Sequence, residues 1–171
     1  MARDGSEGRV GELVRVAALT GYIETMAGFG INPHHLLSEQ GLSIGLLANP
    51  EQLIPARAAI RLLERSAEVT GCITLGLRMA EGRTLANLGA TSLLIAHQPT
   101  LRQALATLAE FRARINSTLV LQCEEADGQA ILREDFSLRR PEPTRQSTNL
   151  ALGVLAKLCA STLGAHWAPL T

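Results

Sequence analysis

The sequence predicts an α+β fold, mostly helical, with a small antiparallel sheet that includes a hairpin near 117–136. Three observations carry this. Apolar residues make up 46% of the 171 residues but aromatics only 3%, so the core must be built from Leu, Ala, Val and Ile, which favours helices. Most of the chain repeats its apolar residues at helical spacing, between caps and breakers. The period then switches to two on either side of Asp127-Gly128, a pair suited to a type I′ turn because both central residues need positive φ.

The elements follow in order. Residues 1–8 are polar and read as a disordered leader, and 9–171 as one domain. From Arg9 to about Phe29 the pattern is helical, with Val10, Leu13, Val14 and Ala17 on one stripe, ended by Gly28 and Gly30. Asn32 caps a short helix from Pro33 to Glu39. Residues 42–53 read as a loop. Pro55 opens a helix that runs to Thr70, with Ala56, Ile60, Leu63 and Ala67 inward and Gly71 placed for a left-handed cap. Short helices follow over 73–81 and 84–96. Thr100 and Gln103 match a capping box, which starts a helix to about Ile115.

Strands are expected over 117–124 and 129–136, with Cys123 opposite Leu132 and Leu119 opposite Phe136. Gln122, Glu124, Arg133 and Asp135 then share the outer face. A lone hairpin is marginal in water, so it must pack on helices or join more strands. The final helix, about 146–163, is apolar nearly all round, with Lys157 as its only charge between Asn149 and Gly164. Such a helix is either deeply buried or covers a partner.

Composition excludes several functions. Sixteen basic and sixteen acidic side chains give a formal net charge of zero, which disfavours direct binding to duplex DNA. The polar start does not resemble a secretory signal, and no window approaches a membrane span. Cys72, Cys123 and Cys159 are far apart and read as reduced core thiols of a cytoplasmic protein.

Motifs of nucleophilic, phosphate-binding or dinucleotide chemistry do not occur, so the chain is not expected to be an enzyme. No metal or cofactor is expected. The adjacent His34 and His35 would point about 100° apart on a helix and read as surface residues beside a cap. Glu124-Glu125 reads as solvated flanking of the turn. Arg112 stands out because it shares the stripe of Leu101, Leu105, Leu108 and Ile115. A guanidinium on an apolar stripe can take a carboxylate in bidentate fashion, or else it snorkels to water. Trp167, in the exit segment, reads as a packing anchor or a ligand-stacking group.

Several ordered motifs then converge. Ile54-Pro55, Leu62-Leu63-Glu64, Thr70-Gly71 and Gly76-Leu77-Arg78 are followed by Leu88-Gly89. Next come Pro99-Thr100-Leu101 with Ala104-Leu105, and finally Leu163-Gly164 with Trp167 and Pro169. Over roughly residues 10 to 170 this series resembles the N-terminal effector domain, often called arabinose-binding-like, of AraC-family transcription regulators. The resemblance implies a bacterial, cytoplasmic regulator whose N-terminal half senses a small molecule, dimerises, or both. Full members carry two helix-turn-helix motifs beyond this region, so DNA is expected to be contacted only through a part absent from this chain.

The leading expectation is a ligand-sensing and dimerisation domain, and the alternative is a ligand-free protein-interaction module. A cavity of a few hundred Å³ with convergent polar groups would favour sensing, and a solid core would favour interaction alone. The expected effector is an amphipathic carboxylate held by Arg112 against a wall of Leu101, Leu105 and Leu108, with Trp167 nearby. The expected homodimer interface uses Leu155 and Leu158 on the last helix.

Overall fold

The computed structural model describes residues 11–164 and 166–170. The expected leader, residues 1–8, lies outside them. Seven α-helices and two two-stranded antiparallel sheets make up the described chain, with three short 3₁₀ turns. The α+β class with dominant helices is therefore correct.

The first expected helix is replaced. Leu13–Arg15 forms strand β1, Val16–Leu19 a 3₁₀ turn, and only Tyr22–Gly28 is helical, as α1. The physical reason is tertiary. Strand β1 pairs with β2, Leu53–Pro55, placing Val14 opposite Ile54. Val14 also bridges Asn116, and the Leu13 amide donates to Ser117 Oγ at 2.8 Å. These partners satisfy backbone groups that a helix would have satisfied internally, and the stripe of Val14 and Ala17 is buried either way.

Helix α2, His34–Glu39, begins with the Asn32 side chain accepting from the His34 amide at 3.0 Å. The expected loop contains a 3₁₀ turn, Ile44–Ala48. Helix α3, Ala56–Thr70, has its stripe of Ala56, Ile60, Leu63 and Ala67 buried and ends on Gly71 in the left-handed region. Helix α4 is Leu75–Glu81.

The single helix expected over 84–96 is broken into a 3₁₀ turn, Leu85–Leu88, and α5, Ala90–Ala96. Gly89 separates them with φ 63° and ψ −141°, a combination that only glycine adopts readily. A Cβ there would also stand 2.5 Å from Nη2 of Arg15.

Helix α6, Leu101–Ile115, starts with Thr100 Oγ1 accepting from the Gln103 amide at 3.2 Å. Strands β3, Leu119–Ala126, and β4, Gln129–Phe136, have the expected register, with Leu119 opposite Phe136 and Cys123 opposite Leu132. Asp127 and Gly128 take φ of 52° and 76° at the turn. Cys123 departs from the expectation of a core thiol: it is exposed, Cys72 is half-buried, and only Cys159 is buried.

Helix α7, Arg145–Leu163, is the axis of the molecule. One apolar cluster gathers Tyr22, Met26, Leu37, Leu62 and Leu63 with Leu150. A second gathers Leu88, Ile95, Leu105 and Leu108 with Leu155 and Leu158. Because α7 contributes to both clusters, it needs an apolar surface nearly all round. Its amino end is fixed by Gln146, whose Oε1 accepts from the Gly76 amide at 3.0 Å and whose own amide donates to Glu64 at 2.7 Å. Further along, Lys157 Nζ donates to the Arg83 carbonyl at 2.9 Å.

Candidate functional site

A cavity of about 120 Å³ lies where the two apolar clusters meet. Its walls come from five parts of the fold, one of them the segment after α4 that supplies Arg83, Asn87 and Leu88. The β1 segment supplies Val14, Arg15 and Leu19, and α3 supplies Ile60 and Leu63. Helix α6 and the hairpin supply Leu108, Ile115, Leu119, Glu134 and Phe136. Helix α7 supplies Ser147, Leu150, Val154, Leu155 and Leu158 along one flank. Local sequence explains the placements on α3, the hairpin and α7. The inward stripe of α3 and the alternation of β3 and β4 aim these side chains inward, and α7 has apolar residues on every side.

The cavity holds few polar groups, and three are ionisable. Arg15 is 6% exposed; its Nη2 pairs with Glu51, while its Nε has no partner. Arg83 is 7% exposed. Its Nη1 donates to the Ala17 carbonyl at 2.7 Å, and its Nη2 donates to Ala18 at 2.6 Å and Thr20 at 2.9 Å. Its Nε is also unpartnered. Burial lowers the Arg83 value to about 10, which leaves it charged at neutral pH.

Glu134 is the group that the sequence reading passed over. It stands between Leu132 and Phe136 on β4 and opposite Leu121 on β3, so strict alternation puts it on the inner face. That alternation was a readable signal: Leu132, Glu134 and Phe136 share a parity. Its Oε2 is buried without a partner. Burial alone pushes its carboxyl from 4.5 up to about 7.

The stability consequence has a definite sign. The folded value lies above the unfolded one, so between about pH 4.5 and 7 the folded chain holds a proton that the unfolded chain has lost. Stability therefore falls as pH rises through that window and levels off above it. The span from 4.5 to about 7 corresponds to roughly 3 kcal/mol. The charged or titratable groups around it are Arg15 and Arg83 on the cavity wall and the buried Cys159 thiol on α7. Thermal unfolding of wild type and Glu134→Met across this range should show the variant gaining on wild type as pH rises. Parallel pH profiles would contradict the placement.

The residues singled out from sequence are dispersed. Leu108, Leu155 and Leu158 line the cavity. Leu101 and Leu105 belong to the second apolar cluster, outside the cavity lining. Arg112 is not a lining residue: its Nε donates to the Leu119 carbonyl at 3.2 Å and its Nη1 to Ala109 at 2.7 Å. These two bonds tie the end of α6 to the start of β3. Trp167 is half-buried, and its amide donates to the Gly164 carbonyl at 3.0 Å. Leu155 and Leu158, expected at a dimer interface, are 4% and 1% exposed within the chain itself. The sequence alone does not show that α7 is central, and that central position is what buries them.

Other candidates resolve simply. His34 and His35 are exposed, and His35 pairs with Glu39. Glu124 and Glu125 pair with Arg133 and Arg102. Among the described residues no three His, Cys, Asp or Glu side chains gather as metal ligands, and no helix is long and apolar enough to cross a membrane.

The cavity is apolar with a few buried charged groups, and at about 120 Å³ it is smaller than the few hundred Å³ expected of a site for a larger ligand. Comparison with known families is specific: residues 30–171 match the family described as the arabinose-binding domain of AraC transcription regulator, N-terminal. The chain belongs to that family. It is also similar to the HTH-type transcriptional regulator VirS of Mycobacterium tuberculosis, in both strain CDC 1551 / Oshkosh and strain ATCC 25618 / H37Rv. Identity is 24% over 132 residues, covering 77% of this chain and 39% of the relative. The chain thus spans well under half the length of the curated relatives it matches.

Proposed function

We propose that this chain is the effector-sensing part of a transcription regulator and that the effector occupies the cavity between β1, α3, the hairpin and α7. The observation that carries the reading is the cavity itself, formed at the junction of two separate apolar clusters and holding buried polar atoms without partners. A ligand there would touch both clusters and the hairpin at once. Its occupancy would therefore change how firmly the halves of the domain are joined, which is the form a signal to another domain requires.

The volume sets the size of the ligand. A comparable apolar cavity of about 150 Å³ holds benzene, so a compact effector fits and a long chain does not. The lining also disfavours a sugar, because each buried hydroxyl without a partner costs about 1–3 kcal/mol and the polar groups here are few. Arg112 enters the proposal at one remove, as a positioning residue that holds Leu108, Ile115 and Leu119 in the wall. The reading includes a homodimer, the commonest oligomer, formed through surface other than Leu155 and Leu158. DNA contact belongs to another part of such a regulator. The ligand-free interaction module is the weaker reading, since a solid core would serve it better than a cavity.

Native mass spectrometry of the purified chain tests this directly. A retained small molecule of low mass and a dimer are the expected results. A bare monomer whose mass and thermal stability do not respond to any compact apolar compound would overturn the reading.

A further inference from the structure

The cavity has one polar acceptor that the fold leaves unused. On β4 the inner positions run Leu132, Glu134, Phe136, and the facing strand offers Leu121 opposite the carboxyl. Glu134 Oε2 is buried and accepts nothing, although Glu134 lines the cavity. Buried carboxylates without donors are rare because the lost hydration is not replaced. The neighbouring cations do not replace it: Arg15 pairs with Glu51, and Arg83 spends both terminal nitrogens on the carbonyls of Ala17, Ala18 and Thr20.

The same commitments bear on what can enter. A carboxylate ligand prefers the two-pronged donor face of a guanidinium. Both terminal nitrogens of Arg83 are already engaged and Nη2 of Arg15 holds Glu51, so neither guanidinium offers a free terminal pair. An anion would also share the cavity with Glu134. An added cation would share it with two buried arginines. A neutral donor has neither conflict.

We propose that Glu134 anchors the head group of the effector, and that the effector is a compact, mainly apolar molecule bearing an uncharged hydrogen-bond donor, a hydroxyl or primary amide. This deepens the reading of the cavity as an effector site and rests on it. The donor satisfies Oε2, and the apolar body fills the space between Leu63, Leu108, Leu150 and Leu155. The head-group class differs from the amphipathic carboxylate expected from sequence because the acceptor, not a free guanidinium, is what faces the ligand.

The test is calorimetry with three probes of one shape, toluene, benzyl alcohol and benzoate, at about pH 8 on wild type, Glu134→Met and Glu134→Gln. Benzyl alcohol should bind wild type at least about tenfold more tightly than toluene, a gap of about 1.4 kcal/mol, and benzoate should bind most weakly. Glu134→Met, which keeps volume but removes the acceptor, should bring the alcohol and toluene within about twofold. Glu134→Gln, which retains an acceptor oxygen, should keep most of the preference. Thermal unfolding of both variants checks that the fold persists. Toluene binding with no preference for the alcohol, tighter binding of benzoate, or a preference that survives in Glu134→Met would each overturn the anchor while leaving the cavity reading intact. Binding of none of the three would overturn both.

Discussion

Gly76→Ala is expected to lower stability by about 3 kcal/mol or more, which for a domain of this length is a fall in Tm of roughly 6–12 °C. Gly76 is buried in the first turns of α4, where that helix crosses α7. An added Cβ would lie 2.0 Å from the Gln146 carbonyl oxygen and 3.0 Å from the Leu150 amide nitrogen. Both neighbours are backbone, so no rotamer change relieves the clash. The helices must separate. Separation weakens the bonds that fix the start of α7, from the Gly76 amide to Gln146 Oε1 and from Gln146 Nε2 to the Ile73 carbonyl at 3.1 Å. Alanine's better helix propensity returns only about 1 kcal/mol. Chemical denaturation of the two proteins measures the difference. A variant within about 0.5 kcal/mol of wild type would show that the two helices do not approach this closely.

Arg83→Met should be comparably damaging, by about 3 kcal/mol. The guanidinium gathers three carbonyls of the 3₁₀ segment that follows β1, and Met offers no donor to any of them. Hydrogen bonds from a charged donor contribute about 1.5–3 kcal/mol each, and stranded acceptors add a desolvation cost. Burial of the guanidinium offsets part of this, because burial already disfavours its charged form. Arg83→Lys should fall between, since one ammonium cannot span the positions that the planar fork reaches. The loss should also loosen the cavity wall formed by Ala17, Ala18 and Leu19. Hydrogen exchange at Val16 to Thr20 locates the effect: faster exchange confined to that stretch is expected in Arg83→Lys. Unchanged stability in Arg83→Met would mean those carbonyls are satisfied elsewhere.

Much of the fold was legible because its signals were local. The stripe and terminal glycine of α3, the Thr100 cap of α6 and the Asp127-Gly128 turn each depend on residues a few positions apart, and each stands where expected. The failures share a cause at longer range. Strand β1 exists because Val14 meets Ile54 and Asn116, partners 40 and 102 positions away, and no local pattern announces them. The break at Gly89 answers to Arg15, which lies against it.

The site was less legible than the fold. Arg112 attracted attention because it is a cation on an apolar stripe, yet its partners are carbonyls close in sequence. Nothing local marks Arg15 and Arg83, which are buried only by the assembled fold. Glu134 alone had a sequence signal, its parity with Leu132 and Phe136. The apolar girth of α7 was visible throughout, but its meaning as a shared axis of two clusters depended on where the chain places it.

The central proposal is that the cavity at this axis receives a compact apolar ligand. Methyl-labelled Leu and Val residues, followed by NMR while toluene is added, test it without reference to any head group. Saturable shifts are predicted at Leu63, Leu108, Leu150, Val154 and Leu155, which line the cavity. Leu36 and Leu37, buried in the first cluster away from the cavity lining, should stay still. Absence of saturable shifts at the lining methyls, or shifts confined to the exposed Leu93 and Leu94 on α5, would contradict it.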